Sequence, residues 1–414
     1  MRYVLFDTEE GYADLLPISF TRPVAEFRLG MLTIRRKWET RLPGDYIFWP
    51  VDYLATKYGT CPDDDVESIF ISGSVLPDST LTAVIEGLQR GEALTYKDSE
   101  GGVQLLAYRG LKGDFDGRRL REEIKTKPLE IAGYEPRTLK FVFDIFRHND
   151  AEIRSDYQLL TEGRISRPLP ESCRVIGGTP DPESPSGYKE IFLEEGAKIE
   201  CAILNVSEGP IYIGREATVM EGACLRAPLA ICRKATVKMG VKIYGGTTLG
   251  PWCKVGGELS NVVMFGYSNK AHDGYLGNAV IGEWCNLGAG VNASNLKNDY
   301  SKIRIWNYPR HTFMRTDLQF CGLIMGDHSK AGINVMFNTA TVVGVGCNLH
   351  GAGFPRVFVP SFTEGSPSGG MSDVGMKKFY QIAERVMSRR GIALEEGDRI
   401  IYERVYEVAS KYKW

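Results

Sequence analysis

His272 is one of five histidines among 414 residues, and it stands in the string NKAHDGYLGNAVIG, residues 269–282. An imidazole changes charge near neutral pH, so it can take a proton from an attacking group and return it. Tyr275 follows three residues later. A second string, LGAGVNASNLKN (287–298), brings Asn295 and Lys297, and Lys302 lies just beyond. Either lysine could supply charge to a phosphate, and the sequence does not choose between them. The plain alternatives are a solvated loop histidine and corner residues that satisfy backbone groups.

What must position these residues is a repeat. Every sixth residue from Ile213 is aliphatic: Ile213, Val219, Leu225, Ile231, Val237, Ile243, Leu249 and Val255. The residues two places earlier are mostly small, as at Ala217, Ala223, Ala235 and Cys253. The register breaks after Val255 and returns at Ile281 and Leu287. It breaks again, then runs through Met325, Ala331, Phe337, Val343 and Leu349. A period of six fits neither a helix nor a flat strand. It fits a triangular coil in which each hexad is a short strand plus a corner, and stacked coils form a parallel β-helix. The repeat is clearest from Ile211 to Phe362. The breaks, roughly Glu258 to Gly277 and Asn292 to Phe320, are expected to leave the packed prism as loops. His272 and Tyr275 fall in the first, and Asn295, Lys297 and Lys302 in the second.

The rest of the chain reads differently. YVLF (3–6) and SIFISG (68–73) are buried-strand patterns. Residues 30–39 and LTAVIEGLQRG (81–91) are helical in period, and EALTYK and VQLLAYR form a strand pair. Alternating strands and helices predict an α/β domain with a largely parallel sheet over 1–165. A helical connector spans 137–163. A Pro/Gly/Ser-rich linker covers 166–190, the β-helix domain 191–362, and a short α-helical tail 363–414. Net charge is -2, which gives no basic field for nucleic acid. No apolar run approaches the roughly 18 residues that span a bilayer. Nine cysteines with no C-x-x-C pair point to a reducing, cytoplasmic setting, without a disulfide framework or zinc site.

The strings around His272 and Asn295, a K-A-(G)-H-x-x-Y-L-G and a G-A-G-x-x-x-x-N, resemble the sugar-phosphate enzymes of the GlmU type. The resemblance is best over about 255–300. LPISFTRPVAEFRLG (16–30) is similar to the LP-x-x-FTRP-x-A-x-x-R-x-G string of a shorter, divergent branch, which extends the likeness over most of the chain. It implies an α/β nucleotidyltransferase-like domain followed by a left-handed parallel β-helix of hexapeptide repeats. It also implies acetylation of an amino-sugar 1-phosphate from acetyl-CoA, nucleotidyl transfer from a nucleoside triphosphate such as UTP, no nucleic-acid or membrane partner, and a homotrimer. His272 then takes the place of the base. Glu258, Tyr275 and Asn295 match positions near the sugar phosphate. Ala289 and Gly332 fall where backbone approaches acetyl-CoA, and Arg22 and Arg28 are candidates for nucleotide phosphate.

The sequence departs from that pattern in places. One glycine is missing before His272, and Ser260 stands where the family has a lysine. DTEEGYADLLP replaces the G-x-G-T-R-M phosphate loop, and S-G-S (72–74) replaces the N-G-D that supplies a metal aspartate, with Asp7 as a substitute ligand for Mg2+. Three readings follow: a bifunctional enzyme, a nucleotidyltransferase with a purely structural β-helix, and a non-catalytic nucleotide-sugar-binding protein.

Overall fold

The computed structural model describes residues 1–98, 101–351 and 353–413. The chain divides into two compact units. The first holds Met1–Phe27, Leu32–Asp144 and Glu396–Ile401; the second holds Arg28–Met31, Ile145–Glu395 and Tyr402 onward.

The first unit is built on a six-stranded sheet. Its first strand, Arg2–Phe6, pairs in parallel with the edge strand Asp45–Trp49 on one side and Ser68–Ser72 on the other. A strand flanked on both sides and covered on both faces must be apolar throughout, which is why YVLF does not alternate. Glu92–Lys97 and Val103–Gly110 form the expected antiparallel pair, so the sheet is mixed. Helix Ser79–Glu86 begins where the Asp78 carboxylate accepts from Leu81 N at 2.9 Å. The helical period over 30–39 resolves into two parts. Gly30 lies at φ +64°, outside any helix, and the helix begins only at Ile34. On one sheet face Val4, Phe6, Trp49, Phe70 and Tyr108 pack against Phe115, which comes from the short strand Phe115–Asp116 outside the sheet.

The second unit is a parallel β-helix. Ile213, Val219, Leu225, Ile231, Val237, Ile243, Leu249 and Val255 all lie in one core. Each such side chain contributes about 1.5–3 kcal/mol on burial. Stacking begins at Arg174–Ile176, inside the segment expected as linker, which pairs with Ile203–Asn205. Regular coils repeat every 18 residues, as from Leu229 to Thr247.

The first break in the hexad count is not a protruding loop. Glu258–Gly266, Asn269–Lys270 and Tyr275–Glu283 are strands of the prism, paired in parallel with the coils before and after. The count slips because these coils are shorter: Thr248 pairs with Val263 and Val263 with Val280, steps of 15 and 17 residues. The second break does leave the prism. Val280 pairs with Ile324, a step of 44 residues. The extra chain forms an arm whose strands Arg304–Asn307 and Thr312–Arg315 pair as a hairpin. Ile303, Ile305 and Thr316 of this arm are buried. Helix Met376–Ser388 buries Phe379, Ala383 and Met387, spaced four apart, and packs Phe379 on Phe362. Among the described residues no helix is long and apolar enough to cross a membrane.

Candidate functional site

His272 lies in a tight turn, residues 271–274, between strands Asn269–Lys270 and Tyr275–Glu283. The turn is held from two coils. Glu258 N donates to Gly274 O at 3.1 Å, and Gly290 N donates to Asp273 O at 3.0 Å. A third brace comes from inside. Lys270 occupies an inward hexad position, in register with Val255, and is fully buried. Its Nζ donates to the carbonyls of His272 at 2.5 Å and Asp273 at 2.9 Å. Burial pushes the Lys270 ammonium down to about 8, with Asp273 opposing. Glycines admit the turn: a Cβ on Gly257 would lie 2.6 Å from Gly274 O and 3.0 Å from His272 O. The imidazole itself is exposed.

Next to this turn the strand register assembles the other candidates. Glu258 pairs with Tyr275, and Leu276 with Ala293 on the following coil. Asn295 Nδ2 donates to Tyr275 Oη at 3.0 Å and to Asn278 Oδ1 at 2.8 Å. That uses the amide hydrogens and leaves Asn295 Oδ1 as an outward acceptor. Tyr275 also keeps its own hydroxyl proton. Burial raises its pKa, the Asn295 bond opposes, and Glu258 and Tyr244 add to the rise, so the phenol is neutral at physiological pH. Gly277 is the residue that makes room, because a Cβ there would meet Tyr275 Oη at 2.3 Å and Asn295 Nδ2 at 2.6 Å.

Other expected residues stand elsewhere. Lys297 Nζ donates to Ser301 Oγ at 3.4 Å and Lys302 O at 3.3 Å, and Lys302 Nζ donates to Asp317 O at 2.5 Å. These two ammonium groups are engaged within the arm. Ala289 O accepts from Asn334 N and Gly332 N donates to Leu349 O, each at 2.8 Å, so their backbone holds coil to coil. Arg28 belongs to the second unit, where its guanidinium donates to Phe265 O at 2.9 Å and Met31 O at 2.5 Å. Arg22 is buried, with its guanidinium 3.5 Å from Thr21 Oγ1.

In the first unit, the segment that replaces the phosphate loop is a plug. Ile18, Ser19, Phe20 and Val24 are buried beyond the end of strand Arg2–Phe6. Tyr53 donates to Phe20 O at 2.7 Å, and Asp7 accepts from Val24 N at 3.1 Å. Burial pushes Asp7 up to about 7, against the Val24 bond and Arg118. Ser72 and Ser74 share a hydrogen bond of 3.1 Å. A lone carboxylate turned to a backbone N–H, beside two hydroxyls, does not make a Mg2+ site. Among the described residues no three His, Cys, Asp or Glu side chains gather to hold an ion. Nearby, Trp49, Lys112, Arg118 and Arg121 line a cleft of about 450 Å³. Arg118 pairs with Asp52 at 2.8 Å and Lys112 with Asp63 at 2.6 Å. These cations escaped the sequence reading, although the run KGDFDGRRLR (112–121) was a signal for them.

A family model described as sugar nucleotidyl transferase matches residues 3–165. The bifunctional protein GlmU of Methanocaldococcus jannaschii is 29% identical over 120 residues, which is 29% of this chain and 26% of that protein. The matched part thus spans about a quarter of the curated relative. Two solved structures, the UDP-N-acetylglucosamine acyltransferase of Francisella novicida and the UDP-N-acetylglucosamine O-acyltransferase of Moraxella catarrhalis RH4, are each 14% identical. They cover 54% of this chain and 85% and 91% of their own, with TM-scores of 0.21 and 0.20. The β-helix stands on its own strand register. Residues 3–165 are thus similar to sugar nucleotidyl transferases, and a parallel β-helix follows them.

Proposed function

We propose that the β-helix transfers an acetyl group from acetyl-CoA to the amine of an amino-sugar 1-phosphate, with His272 as the base. The observation that carries this is the braced turn: an exposed imidazole on a backbone fixed by buried Lys270, beside Glu258 and the Tyr275–Asn295 pair. An ammonium has no lone pair, so the attacking amine must lose a proton to His272 as the C–N bond forms. The thioester C–S bond then breaks, and the thiolate leaves and takes up a proton as CoA thiol. Tyr275 donates and Asn295 accepts hydrogen bonds to the sugar hydroxyls, which fixes the ring while the amine attacks.

The reading extends to the first unit, which attaches a nucleotidyl group to the sugar 1-phosphate, giving a UDP-N-acetylglucosamine type of product. Lys112, Arg118 and Arg121 are the cations there for triphosphate charge. A cytoplasmic homotrimer, carried over from the resemblance, belongs to the same reading. The test of acetyl transfer is thiol release on mixing the protein with acetyl-CoA and glucosamine 1-phosphate. His272→Ala is expected to lower the rate by about 10²-fold or more. No release from the wild-type chain, or an equally active His272→Ala variant, would overturn it.

A further inference from the structure

We infer that Asn261 and Asn278 are positioning residues for acetyl transfer: they form a ladder of amides that fixes which way Asn295, and with it Tyr275, faces the amino sugar. The inference rests on the acetyl-transfer reading and adds what sets the polarity of that pair.

Asn261, Asn278 and Asn295 stand on successive coils. The offset that pairs Ser260 with Gly277 and Val262 with Ala279 sets Asn261 against Asn278, and the offset that pairs Leu276 with Ala293 sets Asn278 against Asn295. Asn261 and Asn278 turn the corner at φ +54° and +45°, a conformation that asparagine tolerates better than most side chains. Their amides also join one another. Asn295 Nδ2 donates to Asn278 Oδ1 at 2.8 Å, and Asn278 Nδ2 donates to Asn261 Oδ1 at 3.0 Å. Asn261 Nδ2 donates to Phe146 O at 2.9 Å and Gly246 O at 3.2 Å. Gly246 O also accepts from Asn149 Nδ2 at 2.7 Å, and Asn149 is fully buried.

The ladder has a direction, and that direction is imposed at its base. A backbone carbonyl only accepts, so Asn261 must turn its NH2 group to Phe146 and Gly246 and its oxygen to Asn278. Asn278 must then donate to that oxygen, which leaves its own oxygen for Asn295. Asn295 donates in turn, to Asn278 and to Tyr275 Oη at 3.0 Å. One amide orientation thus passes from two carbonyls along the corner to the site. There Asn295 presents an oxygen that accepts, and Tyr275 presents a hydroxyl proton that donates. Turned over, Asn295 would take the Tyr275 proton and face outward with N–H groups, the reverse pattern. A fixed amide admits one pairing of the ring hydroxyls. A free amide admits two, which lowers the fraction of sugar bound ready for attack. An asparagine needed only for the corner conformation could be exchanged for glycine with no effect on the sugar.

Steady-state thiol release by the full chain tests this, with acetyl-CoA and glucosamine 1-phosphate varied in turn. Asn278→Gly keeps the corner conformation and removes the rung. It is expected to raise the KM for the amino sugar about tenfold, the worth of one well-placed hydrogen bond, and to leave that for acetyl-CoA within about twofold. Asn278→Asp, which still accepts from Asn295, is expected to recover most of the loss. Asn261→Gly removes a group bonded to neither Asn295 nor Tyr275, and is expected to raise the same KM about threefold or more. An amino-sugar KM equal to that of wild type in either glycine variant overturns the ladder and leaves the acetyl-transfer reading standing. An equal rise in both KM values marks a merely structural role and overturns it as well. No thiol release by wild type overturns the acetyl-transfer reading, and the ladder with it. Melting temperatures above that of the assay certify that the variants are folded, and should Asn278→Gly melt below it, Asn261→Gly carries the same test.

Discussion

Lys270 is the residue on which the candidate site turns, and its chemistry has a measurable consequence. A lysine at an inward hexad position replaces the aliphatic side chain that other coils place there, and its ammonium is satisfied by the carbonyls of His272 and Asp273. Its native pKa is lowered to about 8 from the ordinary 10.5. Between those values the unfolded chain binds more protons than the native one, so stability rises with pH through that window. Lys270→Met removes the titration. The stability of wild type relative to Lys270→Met is therefore expected to climb by on the order of 2 kcal/mol from about pH 7.5 to 9.5. Paired thermal melts at the two pH values measure it, and a constant difference would show that burial in the prism does not lower the Lys270 pKa. The same variant frees the turn and is expected to slow acetyl transfer. His272, Tyr275 and Asn295 were legible in the sequence because side chains that can do chemistry are scarce in a repeat. Lys270 was printed two residues before His272 and was passed over, since the slipped count hid its inward position. The engagement of Lys297 and Lys302 within the arm was invisible, because it depends on how that arm folds back on itself.

The β-helix corners carry strain of their own. Trp252, Tyr267, Trp284 and His328 all have positive φ, near 54° to 62°, where a side chain costs about 1–2 kcal/mol. What offsets this is an aromatic stack along the corner. Tyr267 and Trp284 lie 4.2 Å apart at 10°, and Trp284 and His328 lie 6.0 Å apart at 21°. His328 in turn meets Phe379 and Tyr402 of the C-terminal helices at 5.6 and 5.4 Å. Trp284→Ala keeps the strain and loses the stack, so it is expected to cost about 3 kcal/mol or more. Trp284→Gly loses the stack and the strain together. It is expected to be more stable than the alanine variant by about 1 kcal/mol, the reverse of the usual order within a strand. Denaturant melts of the two variants settle the order, and a glycine variant below alanine would show that the corner is unstrained. At this scale the hexad count made the prism legible wherever corners have constant length. It failed where coils shorten to 15 and 17 residues, because the core still receives an apolar side chain but at intervals of four and five. Leu259 and Met264 fill those places.

Across the whole molecule, the cysteines report on each of the two units separately. All nine are free thiols. Cys201 and Cys224 are exposed and Cys173 is half-buried, whereas Cys61, Cys232, Cys253, Cys285, Cys321 and Cys347 are buried. Burial pushes Cys253 and Cys321 up to about 12 and Cys347 to about 11, so almost no thiolate exists there at neutral pH. The thiolate is the nucleophile, so these groups react only when the chain opens. A thiol reagent is expected to modify Cys201 and Cys224 rapidly in the native protein, Cys173 more slowly, and the other six only on unfolding. The six also divide by unit: Cys61 reports on the α/β unit and the remaining five on the β-helix. Two cores of different construction have no reason to melt at one denaturant concentration. Labelling followed by peptide mass analysis across a urea series is therefore expected to show Cys61 protected to a different midpoint from the β-helix cysteines. Within the β-helix the five should move together, because each coil is stacked on the next and loses its core with it. Rapid modification of Cys285 or Cys347 in the native chain would contradict a closed prism, and a single midpoint for all six would show that the units unfold as one.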